Sequence, residues 1–292
     1  MTPLLNVVSA CVIFATGSVA LATPPFFVMD TCIARTEPSV ALPLIKQIGF
    51  DGFGDSEKNV LSNLPLLNRE RMRLVNVYFV FDLAADRPLL KEDLRIKLDQ
   101  LAESGPTALW VAIQHVSGPA GPFASSDVSG DELVLEKLKE LNAYARPRNL
   151  RIALYPHAQF WLQRVEDAAR IARAMDDANV GITFNLCHWL KMEGDRDPAP
   201  ILRATLPLLY FVTINGADRG ETQSMEWNRL IQPLGEGSYD VGAFLSTLQT
   251  VGYRGPIGLQ GYGIPGDPAE NLIKSFSAWK RFSKVFSDTG GN

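Results

Sequence analysis

One regularity constrains this chain more than any other: from residue 25 onward, short apolar runs alternate with longer amphipathic stretches at an even beat. Eight runs read as strands: FFVMD (26–30), FDGFG (50–54), LVNVYFVF (74–81), ALWVAIQ (108–114), RIALY (151–155), VGITFN (180–185), LYFVTIN (209–215) and PIGLQ (256–260). The stretches between them, such as DELVLEKLKELNAYA and VEDAARIARAMDDA, repeat apolar residues at i, i+3, i+4 and i+7, as a helix with one buried face requires. Strands separated by helices run parallel, because a parallel pair needs a long crossover. Eight such units in one domain of this size predict an α/β fold, the closed (β/α)8 TIM barrel, with an open doubly wound sheet as the alternative. A dinucleotide-binding open sheet would show a glycine fingerprint, and GFDGFGDS places Phe and Asp where that fingerprint needs its spacing. With 292 residues, 46% of them hydrophobic, the chain can bury the core a barrel needs. No linker rich in Pro, Gly or Ser divides it, so residues 23–292 read as one barrel domain.

The first 22 residues, MTPLLNVVSACVIFATGSVALA, form an apolar run that is short for a membrane span once its Ser, Thr, Gly and Asn are counted. Ala20, Leu21 and Ala22 supply a small-x-small pattern just before TPPFF, so residues 1–22 read as a signal peptide, although the n-region lacks Lys and Arg. This predicts an exported protein, periplasmic or secreted, with no membrane contact beyond that segment. VSAC (8–11) resembles a lipoprotein cleavage box, but the hydrophobic run continues past Cys11, which argues against lipidation. Two cysteines, Cys32 and Cys187, remain after cleavage; they do not make a disulfide framework, and two small buried residues are favoured over a pair. The net charge is −4, with Lys and Arg scattered through the helical stretches, which argues against a nucleic-acid footprint. A small, neutral or weakly charged ligand is the expected partner.

A barrel places its site where the strands end. The residues there are Asp30 and Thr31, Gly54 and Asp55, Phe81 and Asp82, Gln114 and His115, Tyr155 and His157, Asn185 and His188, Thr213 and Asn215, and Gln260 and Tyr262. All three histidines of the protein are in this set, which points to a functional rim. The long stretch HVSGPAGPFASSDVSGDE (115–132) reads as a loop on the same face.

From about residue 39 to 284, the chain resembles the xylose isomerase-like TIM-barrel superfamily, in the group of sugar phosphate isomerases and epimerases. The resemblance rests on PLGEGSYDVGAFLSTLQTVGYRGPIGLQGYG and on NLRIALYPHAQFWLQRVEDAARIARAMDDANVGITFNLCHWL. It implies a divalent metal, typically manganese, held by Glu, Asp, His and Glu from strands five to eight, with the glutamates also moving the proton. In this sequence those positions fall on Tyr155, Asn185, Thr213 and Gln260. Hard divalent ions are held largely through anionic oxygens, and two amides, a hydroxyl and a phenol supply none of that charge. A metal is therefore disfavoured and no cofactor is expected; His157 and His188 are the one pair suited to a softer, displaced ion.

The resemblance also implies that His157, in YPH, and His188, in NLCH, stand where the family's substrate-facing histidines stand, and that Arg219 lies near an arginine that reaches sugar hydroxyls. A metal-free enzyme would use His157 and His188 as bases and Tyr155 or His115 as acid, with Asn185, Asn215 and Gln260 steadying an enediolate oxygen. Thr213 and Gln114 complete the polar rim, and Trp189, Trp161 and Tyr262 offer aromatic faces on which sugar C–H groups pack. The expected activity is isomerisation, epimerisation or β-elimination on a sugar or keto-sugar; the alternative is an inactive carbohydrate-binding barrel. Endonuclease action, known among barrels of this superfamily, is excluded by three histidines and a negative charge. Relatives often form dimers or tetramers, so a homo-oligomer is left open, and no exposed apolar stripe marks an interface.

Overall fold

The computed structural model describes residues 23–33, 36–83, 89–115 and 123–287. Residues 1–22, where a signal peptide is expected, and residues 116–122 of the loop after the fourth strand lie outside the described residues. The strands are β1 (Phe26–Met29), β2 (Gly52–Ser56), β3 (Arg73–Asp82), β4 (Thr107–Gln114), β5 (Leu150–Leu154), β6 (Val180–Asn185), β7 (Leu209–Ile214) and β8 (Ile257–Leu259). Each pairs in parallel with the next, and Phe26↔Ile257 with Val28↔Leu259 joins first to last, closing the barrel. The helices are α1 (Pro38–Ile48), α2 (Val60–Glu70), α3 (Glu92–Glu103), α4 (Asp131–Ala145), α5 (Val165–Met175), α6 (Leu186–Glu193), α7 (Ala199–Thr205), α8 (Trp227–Leu230), α9 (Val241–Val251) and α10 (Pro268–Phe282).

Strand periodicity splits the core into two layers. Phe27 and Met29 of β1, Ala108, Trp110 and Ala112 of β4, Ala153 of β5 and Phe211 of β7 point into the barrel. Phe26 and Val28, Ile152 and Leu154, Ile182 and Phe184 point out and pack beneath the helices. Inside, Phe27, Trp110 and Phe211 meet edge-on or tilted, with centroids 5.8, 6.3 and 5.4 Å apart, and Trp110 supports the Tyr155 ring at 5.5 Å. These rings are buried and form a floor under the strand ends.

Helix ends are set locally. Asp240 and Asp267 cap α9 and α10 by accepting from Ala243 N and Ala269 N, both at 2.9 Å. Gly49 ends α1 at φ +112°, a conformation that side chains resist. β2 starts two residues later than its apolar run suggests, because Phe50 stacks on Phe26 (5.3 Å) and Phe276 (4.9 Å) under α10 instead of joining the sheet. β6 matches its expected bounds to the residue.

Candidate active site

β6 passes into α6 with no loop: the strand ends at Asn185 and the helix begins at Leu186. This puts His188 on the first helical turn, three positions beyond Asn185, so both lie on one side of the junction. On the neighbouring strand, Tyr155 N donates to Val111 O (2.8 Å) and extends β5 by one residue, and His157 N donates to Leu162 O (2.9 Å) across a tight return. The outcome is a pair of imidazoles with centroids 4.2 Å apart. His157 stacks on Phe160 at 4.0 Å, and His188 meets Trp227 and Tyr155 edge-on at 5.5 and 5.7 Å.

The backbone of Ala158 sets the protonation of both rings. His157 Nδ1 lies 2.9 Å from Ala158 O; a carbonyl only accepts, so Nδ1 carries the proton and Nε2 is left with a lone pair. Ala158 N donates to His188 Nδ1 at 3.3 Å, so there Nδ1 is bare and the proton sits on Nε2. Burial holds both rings below the usual imidazole range, His188 well below it, where a charge on His157 would push it further. At neutral pH the pair is two neutral imidazoles of opposite tautomer.

Tyr155 is buried above the aromatic floor, edge-on to Tyr78 at 5.1 Å. Burial first, and then neighbouring Cys187 and Tyr78, raise its phenol well above the ordinary value, so it keeps its proton. The Gln260 side chain hydrogen-bonds Tyr155, a contact that works against that rise. Gln260 Oε1 accepts from Thr31 Oγ1 (2.6 Å), Gly261 N (2.9 Å) and Tyr262 N (3.1 Å), which leaves the amide nitrogen to face the phenol. Asn185 Nδ2 donates to Pro156 O (3.2 Å) and Thr183 Oγ1 (3.0 Å), and Asn185 Oδ1 accepts from Thr213 Oγ1 (3.0 Å). All these groups are uncharged. Among the described residues no group of three or more His, Cys, Asp or Glu side chains is placed to hold a metal ion.

The structure therefore brings together Tyr155, His157, Asn185, His188, Thr213 and Gln260. Other expected residues are placed differently. His115 bonds through its ring to Phe123 O (3.0 Å) and Ser125 Oγ (2.9 Å), within its own loop. Gln114 donates to Asp82. Asn215 is fully buried and donates to Leu230 O (2.6 Å) and Gly216 O (2.8 Å), tying down the loop after β7 instead of facing a ligand. Trp189 packs on Phe184 (5.3 Å) in the layer between barrel and helices, with the Arg196 guanidinium 5.3 Å from its ring, because adjacent residues on a helix do not share a face. Trp161 is fully buried and donates to Asp127 O (3.2 Å). Arg219 is exposed in an outer cleft with Tyr239, Asp195 and Asp197. Tyr262 is 66% exposed on the loop after β8. Cys32 and Cys187 are both free.

Three neighbours were not singled out from sequence, Tyr78, Phe160 and Trp227, and two more, Asp30 and Asp55, were placed on the rim without a role. Asp30 and Asp55 stand at strand ends, but nothing in their spacing says that they interact. In the fold Asp30 hydrogen-bonds Ser56 and burial raises its carboxyl. Asp55, fully buried, accepts from Asn63 Nδ2 (2.9 Å) and Ser56 N (2.8 Å); burial, with a smaller push from Asp30, raises it to about 6.

The sequence profile of the xylose isomerase-like TIM barrel family matches residues 44–281. Over 141 residues the chain is 30% identical to a 3-dehydroshikimate dehydratase of Pseudomonas aeruginosa, a match that takes in 47% of this chain and 22% of that protein. The chain thus spans only about a fifth of the length of the curated relatives it matches. The 3-keto-D-glucoside 4-epimerase YcjR of E. coli is similar in structure, with TM-score 0.67 and 19% identity over 88% of this chain and 99% of its own. So is the IOLI protein, solved with a bound zinc atom: TM-score 0.72 and 14% identity over 91% of this chain and 100% of its own. With four-fifths of its length under the family profile, this chain belongs to the xylose isomerase-like TIM barrel family.

Proposed function

We propose that this chain catalyses proton transfer at the carbon beside a ketone in a sugar or keto-sugar, without a metal. The observation that carries the reading is the pair of opposed tautomers, one imidazole with a free lone pair and one with an N–H, 4.2 Å apart beside a protonated phenol. His157 Nε2 takes the α-proton; the C–H electrons form a C=C bond as the carbonyl electrons move onto oxygen. His188 Nε2–H and the Tyr155 hydroxyl donate to that oxygen. A proton delivered to the opposite face by the second imidazole or by water gives an epimer; return to the former carbonyl carbon, while the α-hydroxyl loses its proton and becomes the new carbonyl, gives an isomer. Expulsion of a β-hydroxyl as water gives the dehydrated product, and the partial likeness to a 3-dehydroshikimate dehydratase supports that branch.

The family's metal does not fit these residues. The four positions facing the ligand on β5 to β8 are a phenol, a hydroxyl and two amides whose oxygens are already capped by donors, with no anionic oxygen among them. Without a Lewis acid, several kcal/mol of oxyanion stabilisation is missing, so the substrate needs a C–H already acidified by a ketone. We also propose export, supported by the apolar N-terminal run; protein recovered from producing cells would then begin at Thr23.

The test is proton NMR of the protein in deuterated buffer with aldoses, ketoses and 3-keto-sugars, with EDTA or with manganese. Deuterium incorporation or product formation that persists in EDTA is expected. Activity confined to the manganese sample would overturn the metal-free reading, and ligand line-broadening without exchange would make the barrel a binding module.

A further inference from the structure

Beside the barrel mouth, between the end of β8 and α10, lies a cavity of about 370 Å³, within the size range of small-molecule sites. Its apolar wall is Leu259, Tyr262, Ile264, Pro265, Pro268 and Leu272. The polar side chains that line it are used inside the protein. Asn271 Nδ2 donates to Pro265 O (2.9 Å), Ser275 Oγ accepts from Leu234 N (3.0 Å), and Thr31 Oγ1 donates to Gln260 Oε1 (2.6 Å). Cys32 Sγ likewise donates to Leu259 O (3.4 Å), so the side chains the cavity presents to a guest are mainly apolar, with the one aromatic ring of the exposed Tyr262.

The cavity shares a wall with the site. Thr31 lines it and holds Gln260, the same residue that bonds Tyr155, and the Gly261 and Tyr262 amides on its rim also donate to Gln260. The cavity and the surroundings of Tyr155 thus adjoin across Thr31 and Gln260.

We propose that this cavity binds an apolar, ring-sized aglycone, so that the substrate is a keto-glycoside carrying an aromatic or comparable hydrophobic group. This rests on the keto-sugar reading above and narrows it. Burial of such a group against Tyr262 and the Ile and Pro side chains favours binding without any added polar contact.

The experiment measures, by titration calorimetry, the dissociation constants of methyl and phenyl 3-keto-glucosides for the unaltered protein and for Ile264→Trp, which narrows the cavity. We expect the phenyl compound to bind at least tenfold more tightly than the methyl compound, and Ile264→Trp to remove most of that difference. Equal affinity of the two compounds for the unaltered protein would overturn the aglycone site and leave the keto-sugar reading standing. Binding of neither compound would overturn both.

Discussion

His157 and His188 carry opposite tautomers because Ala158 bonds to both, its carbonyl accepting from one Nδ1 at 2.9 Å and its N–H donating to the other at 3.3 Å. One residue of backbone thereby fixes which ring has a bare Nε2 and which an Nε2–H. A backbone bond has no rotamer to lose, so the two tautomers are held without help from a mobile side chain.

His157→Gln keeps a side chain of similar length but has no basic nitrogen. Turnover on a keto-sugar should fall by about 10²- to 10⁴-fold, the usual worth of a placed general base, with little change in KM. Steady-state kinetics decide it: a rise in KM at unchanged kcat would make His157 a binding residue.

Both imidazoles titrate below the ordinary value of 6.5. The kcat/KM profile should therefore be flat through neutrality and fall along a limb that lies below pH 6.5. The sign for stability follows: a histidine whose folded pKa is depressed contributes stability above the unfolded pKa and loses it as the pH falls through the folded one. Urea midpoints should drop over the same acid range. An activity limb above pH 7 would contradict the neutral pair.

Asp55 has the opposite dependence. Its carboxyl is raised from 3.8 to about 6, so its contribution is fully present below the unfolded value and is lost as the pH climbs through about 6. Two units correspond to about 3 kcal/mol. Asp55→Asn keeps the shape, and Asn63 can turn its amide to match it. The variant should exceed the parent in stability at pH 7, and the gap should close toward pH 4, as read by urea unfolding at the two pH values. A parent more stable than the variant at pH 7 would show Asp55 ionised at little cost.

Asn185→Asp recreates one acidic ligand of the family pattern, but the new oxygen would face Pro156 O at 3.2 Å, where an N–H now donates. Two acceptors in contact are repulsive, so the variant should lose about 1–3 kcal/mol. It should also gain no tight manganese binding, because Gln260 and Thr213 remain uncharged. Calorimetric titration with manganese checks this, and a micromolar dissociation constant would show that most of a metal site survives.

Much of this was legible in the residues. Eight apolar runs located eight strands, because each parallel strand needs its own crossover helix and so cannot hide in a neighbour. The spacing Asn185-x-x-His188 read correctly as one cluster, since a strand running straight into a helix keeps those positions on one side. Trp189 did not: it is next to His188 in sequence, but one step along a helix turns about 100° and carries it into the outer layer. Asn215 stands at a strand end like Asn185, and only the path of the loop to Leu230 reveals that its amide is used internally. Asp30 and Asp55 belong to consecutive βα units with α1 between them, and their coupling exists only once β1 and β2 pair.

The aromatic floor of Phe27, Trp110 and Phe211 shuts the barrel directly beneath Tyr155. Under the proposed reaction, substrate and product would share the opening at the strand ends, and each would have to clear it before the next arrives. In an enzyme so built the product competes with the substrate for the same free form, so accumulating product slows turnover as a competitive inhibitor, while the equilibrium constant and the concentrations alone set the direction.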